Sequence, residues 1–443
     1  MNKVCVLSLG CAKNLTDSEV MLAALQKSGY EITCDEQEAE VMVVNTCCFI
    51  ESAKQESIDT ILELADYKKQ GKLKLLIVAG CMGERYKEEV LEELPEVDAV
   101  CGTGDFGEIV EVIERAREKR GVYRKGAERA PLDTKDRVLA TPPYTAYLKI
   151  AEGCDNHCTY CVIPKIRGKY RSREVSSILE EARQLAQKGV KELVVIAQDT
   201  SCYGKDLEDR PTLAQLLDQL GTIDGIVWIR VHYLYPEGVD EALLEEFQRN
   251  PKLVPYFDIP IQHVSDRILK RMARKTSKEE IVRLVENIRA KLPESAIRTS
   301  LIAGFPGETE EEFYELLEFL KAYELDRVGV FPYSQEEGTP AAEFEGQVEE
   351  EVKNARQMRA MELQYDVTEK RNRRQIGKTL QILTEGYDKL LKLYYGRSYA
   401  DSIDVDPKVF FRSKKPVAAG EFVSVLIEES LDYDLIGTAI FES

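Results

Sequence analysis

Three cysteines stand at C-x3-C-x2-C spacing in the stretch Glu152-Gly153-Cys154-Asp155-Asn156-His157-Cys158-Thr159-Tyr160-Cys161-Val162. Three soft thiolate ligands this close together, with no fourth cysteine nearby, suit an iron-sulfur cluster in which one iron keeps no protein ligand. A structural zinc wants four ligands, usually as two separated pairs, and the next cysteine is Cys202. His157 is available to zinc but directly precedes Cys158. A bacterial ferredoxin run spaces its cysteines x2, x2, x3, whereas this stretch runs x3 and then x2. The spacing favours a cluster with an open, reactive iron.

Such an iron can chelate the amino and carboxylate groups of S-adenosylmethionine, pass it one electron and release a 5′-deoxyadenosyl radical. The protein's share of that chemistry is orientation and the exclusion of water. Tyr160, between the last two cysteines, is either a packing surface for the adenine or a solvent-facing loop aromatic. The glycines of Gly304-Phe305-Pro306-Gly307-Glu308 either let the backbone approach a bound nucleoside or make a plain tight turn.

The elements that must position these residues follow from the hydrophobic pattern. Up to about residue 118, short apolar runs (Val4 to Leu9, Val41 to Val44, Leu75 to Ala79, Ala99 to Val100) alternate with amphipathic stretches (Ser18 to Lys27, Ser52 to Ala65, Arg85 to Leu94, Glu108 to Lys119). This is the signature of a parallel α/β domain, with Thr16 and Asp17 as candidate helix caps. Three of the strands end in a cysteine: Leu9-Gly10-Cys11, Asn45-Thr46-Cys47 and Ala79-Gly80-Cys81. Ligands gather beyond the carboxyl ends of parallel strands, so Cys11, Cys47 and Cys81 form a second candidate three-thiol site. The alternative is that each is a small buried hydrophobe. Cys5 reads as core, and Cys34, Cys48 and Cys101 stay open.

Residues 119–142, charged and carrying Pro131 and Pro142, read as a linker that either holds the first domain rigidly or lets it swing. From Tyr147 to Phe331 six strand patterns alternate with helical ones, as a partial (β/α)6 barrel requires, with its reactive face at the strand carboxyl ends. Those ends carry Gln198 and Asp199, His232 and Tyr233, Gln262 and His263, Gly304, and Tyr333 to Glu337 as candidate pocket residues. A charged helical run, Glu349 to Arg374, leads into a final segment of short strands that reads as a small all-β barrel. The expected domains are 1–118, a linker at 119–142, 143–374 and 375–443.

The 443 residues are 44% hydrophobic and 31% charged, and the start lacks the apolar core of a signal peptide, so a cytoplasmic protein of two or three domains is expected. Eleven cysteines are too few for a disulfide scaffold and point to metal binding. A net charge of -19 disfavours a general nucleic-acid binder and suits a basic partner.

On the C-x3-C-x2-C loop, the three strand-end cysteines and the terminal barrel, the chain resembles a radical S-adenosylmethionine methylthiotransferase along its whole length, with a final domain similar to the TRAM domain. The resemblance implies two 4Fe-4S clusters, held by Cys154, Cys158 and Cys161 and by Cys11, Cys47 and Cys81, together with S-adenosylmethionine. Among the candidates read from the residues themselves, Tyr160, Gln198, Asp199 and Gly304 are the expected cofactor contacts. Members modify a tRNA adenosine or a ribosomal-protein aspartate. Gly10-Cys11-Ala12-Lys13-Asn14, with Lys where the tRNA branch typically has Met, and Gln198-Asp199-Thr200-Ser201-Cys202-Tyr203-Gly204 resemble the ribosomal-protein branch. So do Tyr147 to Cys154 and Ile163 to Gly168.

The implied reaction is methylthiolation of the β-carbon of an aspartyl residue in small-subunit ribosomal protein twelve, free or within the ribosome, with an external reductant and no membrane. A tRNA methylthiotransferase and a non-catalytic iron-sulfur electron carrier are the alternatives. Both open irons are then expected to face one cavity. Two features depart from the pattern: Cys48 directly follows Cys47, and Cys202 has no assigned role. Lys165, Arg167, Lys169, Arg171 and Arg173 alternate along a strand-like stretch, and read as a solvated edge or as a contact for a carboxylate or ribosomal RNA.

Overall fold

In the computed structural model, which describes residues 3–441, the first apolar runs are strands covered on both faces. They are β1 (Lys3–Ser8), β2 (Glu31–Ile32), β3 (Val41–Thr46), β4 (Leu75–Gly80), β5 (Ala99–Val100) and β6 (Gly121–Val122), parallel in the order β2-β1-β3-β4-β5-β6. The helices between them are α1 (Ala12–Lys27), α2 (Glu51–Lys69), α3 (Cys81–Tyr86), α4 (Glu88–Glu93) and α5 (Ile109–Glu118).

Successive strand residues point to opposite faces. Val41, Val43 and Ile77 therefore pack under α1 and α5, while Met42, Val44 and Val78 pack under α2, α3 and α4. Ser8 pairs with Asn45 and Thr46 with Gly80, so β1, β3 and β4 end at one level. The helix α1 starts directly behind Cys11 rather than at Ser18, which makes Thr16 and Asp17 buried interior positions instead of caps. The helix expected from Arg85 to Leu94 is broken between α3 and α4 at Lys87, whose φ is +52°.

The next elements are β7 (Thr145–Lys149), β8 (Ala151–Glu152), α6 (Ile163–Arg167), β9 (Arg171–Ser172), α7 (Val175–Gln187), β10 (Glu192–Ile196), α8 (Leu213–Gly221) and β11 (Trp228–Val231). They continue with α9 (Glu241–Arg249), β12 (Leu253–Asp258), α10 (Asp266–Arg271), α11 (Lys278–Lys291), β13 (Ala296–Ala303), α12 (Glu310–Tyr323) and β14 (Arg327–Pro332). A six-stranded sheet follows the order β14-β13-β12-β11-β10-β7, the strand complement expected of the partial barrel, and β8 and β9 form a separate antiparallel ribbon.

The chain divides into two compact units. One comprises the chain up to Lys188 with Val194–Leu216 and Ser334–Glu343; the other comprises Gly189–Leu193, Leu217–Tyr333 and the chain from Phe344 onward.

In the first unit, the segment read as a linker is tied down rather than free to swing. Arg137 is buried and pairs with Glu19 of α1, with Glu181 of α7 at 2.8 Å and with the Tyr147 carbonyl, while Thr134 Oγ1 donates to Glu181. In the second unit, α13 (Glu350–Arg373) leads into β15 (Thr379–Asp388), β16 (Leu393–Arg397), β17 (Val409–Arg412), β18 (Phe422–Leu431) and β19 (Asp434–Ile440), a closed barrel in the order β15-β16-β17-β19-β18.

That barrel is anchored by buried charge. Glu192 pairs with Arg397 at 2.6 Å and Arg230 at 3.1 Å. The segment after β16 meets polar side chains of the strands: Asp401 with Arg327, Asp406 with Tyr256, and Ser402 with His232 at 2.7 Å. His232, expected to line a pocket, is thus engaged in holding the terminal barrel.

Candidate active site

Both cysteine trios lie in the first unit. The strand-end trio is assembled by polar stitching. Asn14, one turn into α1, donates from Nδ2 to the carbonyls of Leu9 and Thr46, both at 2.9 Å, binding the ends of β1 and β3. Thr46 Oγ1 donates to the Ala79 carbonyl at 2.6 Å and accepts from Met82 N, binding the end of β3 to β4 and α3. Gly10, at φ +83°, brings the backbone so close to Cys47 that an added Cβ would lie 2.9 Å from its sulfur, so the Cys11 loop and Cys47 are adjacent. Cys47 and Cys81 are buried and Cys11 is half-buried. Cys48 is fully buried among Met42, Val44 and Ile61.

The loop trio is built locally. Gly153 needs its φ of +80° because a Cβ there would run into the carbonyl of Lys169. Backbone amides point at two of the sulfurs, Asn156 N at Cys154 Sγ (3.4 Å) and Ile163 N at Cys161 Sγ (3.5 Å). Amide donors of this kind stabilise thiolates bound to metal. Burial pushes the Cys154 thiol up to about 11, and also raises Cys47 and Cys81, so loading metal must displace protons.

Among the described residues no three Cys, His, Asp or Glu donors are close enough to share one metal ion. Sulfurs around a single tetrahedral zinc lie about 3.8 Å apart, given Zn–S bonds near 2.3 Å. A 4Fe-4S cube takes each thiolate on a different corner, so the donor chemistry of each trio, three cysteines and no fourth, is one such a cluster could use.

Between the trios lies a buried charge network. Lys149 Nζ donates to Asp17 (2.7 Å) and Glu152 (3.0 Å), and Arg167 Nη1 donates to Asp17 (2.6 Å) and reaches Glu152 at 3.4 Å. Two cations balance two carboxylates. Burial alone would raise Glu152, but Lys149 and Arg167 outweigh it and hold the carboxyl at about 2. Arg167 Nη2 donates to Asn14 Oδ1 and lies 3.9 Å from Cys81 Sγ, while the next residue, Gly168, accepts from Cys154 N at 3.1 Å. One turn therefore touches both trios. The segment Ser334–Glu343 meets sequence neighbours of the trios, with Ala341 N on the Thr159 carbonyl and Glu336 on Arg85, which also holds the Cys48 carbonyl.

The candidate cofactor contacts divide. Tyr160 is half-buried in the cysteine loop. Asp199 is buried and accepts from Asn156 (2.9 Å), Ser201 (2.5 Å) and Cys202 (3.1 Å), so its carboxylate clamps the cysteine loop. Gln198 donates to Glu152 at 2.7 Å, and its carbonyl oxygen is buried without a hydrogen-bond partner, the kind of acceptor a ligand satisfies. Gly304 belongs to the second unit, and the space above its Cα is filled by Lys353.

The alternating basic run divides: Lys165 and Lys169 are exposed, as on a solvated edge, whereas its three arginines are engaged within the fold. Gly168, at φ +72°, breaks the alternation, and Arg167 and Arg173 are buried in ion pairs while Arg171 holds the Ala127 and Ala130 carbonyls. Asn14 and Lys149 carry no spacing signal of their own, and the sequence offers Asp17 only as a cap and Arg167 only as one of a basic run, not as partners of each other.

The sequence matches the Radical SAM superfamily over residues 148–320, the Uncharacterized protein family UPF0004 over 3–102 and the TRAM domain over 376–440. It is 49% identical to the Ribosomal protein uS12 methylthiotransferase RimO of Acetivibrio thermocellus, over 100% of this chain and 99% of the relative. It is 50% identical to the protein of the same name from Pelotomaculum thermopropionicum, over 99% of each.

The chain belongs to the RimO family of radical S-adenosylmethionine methylthiotransferases.

As a member it is a sulfur-transferring enzyme that uses S-adenosylmethionine and 4Fe-4S clusters. The radical S-adenosylmethionine methyltransferase TsrM from Kitasatospora setae, solved with cobalamin and a [4Fe-4S] cluster, shares the fold, with a TM-score of 0.56 at 16% identity over 77% of each chain. No helix among the described residues is long and apolar enough to cross a membrane.

Proposed function

We propose that this enzyme adds a methylthio group to the β-carbon of an aspartyl residue in ribosomal protein uS12, the target in the names of its relatives. The observation that carries a two-site reading is the Arg167-Gly168 turn, which reaches Cys81 on one side and Cys154 on the other. In this reading Cys154, Cys158 and Cys161 hold the cluster that activates S-adenosylmethionine, and Cys11, Cys47 and Cys81 hold a second one, both facing one cavity.

When bound, these groups supply the one-electron chemistry needed at an unactivated carbon beyond the reach of a general base at neutral pH. The chain's own residues do the positioning. The amides of Asn156 and Ile163 orient two sulfurs, and Asp199 fixes Asn156. Tyr160 and the buried Gln198 carbonyl border S-adenosylmethionine on the cysteine-loop side, and Gly304 is the remaining candidate contact. The ion pairs of Lys149 and Arg167 keep the wall between the trios rigid and dry.

The functional domains are taken as 1–118, 143–374 and 375–443, with 119–142 as a structured connection. A low-potential external reductant and a cytoplasmic setting complete the proposal, with uS12 met free or in the ribosome. The net charge of -19 favours a basic ribosomal protein over RNA.

The test offers reconstituted enzyme S-adenosylmethionine, sulfide and a reductant with either uS12 or tRNA, followed by mass spectrometry. A methylthio group on a uS12 aspartate is the expected result. Product on tRNA alone overturns the substrate, and no 5′-deoxyadenosine with either would reduce the protein to an electron carrier.

A further inference from the structure

We infer that Arg167 is a positioning residue that sets the electron affinity of the site formed by Cys11, Cys47 and Cys81. The inference rests on those three cysteines holding a cluster. Arg167 is 2% exposed, and its guanidinium has two distinct ends. Nη1 is bonded to the carboxylate of Asp17 and lies near Glu152, whereas Nη2 faces Asn14 Oδ1 and the sulfur of Cys81, 3.9 Å away. The carboxylates therefore sit behind the guanidinium, and its positive end is turned to the thiolates. Lys149 is bonded to Asp17 and Glu152, and Arg85 to the Cys48 carbonyl and Glu336.

A three-thiolate site that accepts one electron gains one negative charge, and a fixed cation against a ligating sulfur in a dry interior favours that reduced form. Hydrogen bonds and charge at the sulfurs are established levers on cluster potential. Asn14 holds the guanidinium in place and also ties the ends of β1 and β3, so the same contact that assembles the trio aims the cation at it. Dithionite supplies the electron in the experiment, and no bond is made or broken in this step.

The test uses the full-length chain carrying Cys154→Ala, Cys158→Ala and Cys161→Ala, which leaves the strand-end site alone, reconstituted with iron and sulfide and titrated potentiometrically by electron paramagnetic resonance. Adding Arg167→Gln is expected to lower the reduced-to-oxidised ratio at a fixed potential at least tenfold, which for one electron is a shift of about 59 mV to more negative potential. Arg167→Lys, which keeps the charge, is expected to recover most of it. A merely structural arginine would change iron content or melting temperature without moving the potential. An unchanged midpoint in Arg167→Gln overturns the inference. If that variant holds no iron, Asn14→Leu reads the same contact, with a smaller shift in the same direction expected and no shift overturning it. A parent without any cluster signal overturns the ligand assignment itself and this inference with it.

Discussion

The two cysteine trios proposed to hold clusters are built by opposite routes. One is contained in a single short loop, with a positive-φ glycine at its base and backbone amides on its sulfurs. The other draws one thiol from the end of each of three neighbouring strands and is held by side chains, chiefly Asn14, Thr46 and Arg167. A loop site carries its geometry in its own backbone, whereas a strand-end site borrows geometry from the sheet and depends on distant partners.

The strongest way to break the comparison is to remove one thiol from each trio. Cys154→Ala is expected to remove about half the iron and to abolish both 5′-deoxyadenosine and product. Cys81→Ala is expected to remove the other half and stop methylthio transfer while 5′-deoxyadenosine still forms. Iron assay and chromatography check both, and equal loss of 5′-deoxyadenosine in the two variants would end the division of roles.

Next come the buried carboxylates. Glu152 lies in the first unit next to the trios, and Glu192 in the second unit, anchoring the terminal barrel. Burial works against each, but Lys149 and Arg167 at Glu152, and Arg397 and Arg230 at Glu192, hold both at about 2, below the ordinary 4.5. A depressed carboxyl contributes stability that is complete above its unfolded value and is lost as pH falls from about 4.5 towards 2. Glu152→Gln and Glu192→Gln are each expected to cost about 3–5 kcal/mol and to flatten that acid dependence in chemical denaturation. Only Glu152→Gln should also lower iron content.

A smaller effect separates the glycines. Gly153→Ala and Gly80→Ala, at φ +80° and +85°, should each cost about 1–3 kcal/mol in thermal melts. Gly153→Ala is expected to cost more, because its added methyl meets backbone carbonyls, whereas at Gly80 the nearest obstacle is the Asn45 side chain. The smallest effect is that of Cys48→Ala, about 1 kcal/mol with full iron retained, set against Cys47→Ala, which should lose the strand-end cluster.

The proposal of a loop trio rests on spacing alone. The strand-end trio was legible only as one of two readings, since a cysteine closing a strand is ordinary. Sheet order and helical layers followed from apolar periodicity, as the alternation of Val41 to Val44 between two faces shows. What sequence did not disclose is the polar cage, because Asp17 meets Lys149 and Arg167 across 132 and 150 positions. The basic run is solvated only at Lys165 and Lys169, because alternation assumes a continuous strand, whereas Ile163–Arg167 is helical and Gly168 ends that helix. Likewise, the composition of 119–142 marks a loop truthfully but says nothing of Arg137 buried within it.

That arginine bears on how the chain comes into being. Glu19 is buried against Arg137, 118 positions downstream, and Asp17 against Arg167, 150 positions downstream, so synthesis at about 5–20 residues per second leaves roughly 6–30 s between each carboxylate and its arginine. Throughout that interval α1 carries Asp17 and Glu19 without their cations, and burying an unpaired charge is costly. A nascent chain ending at residue 118 lacks the cations that pair with Asp17 and Glu19, so a cluster held as proposed by Cys11, Cys47 and Cys81 would be caged only after the downstream arginines have emerged.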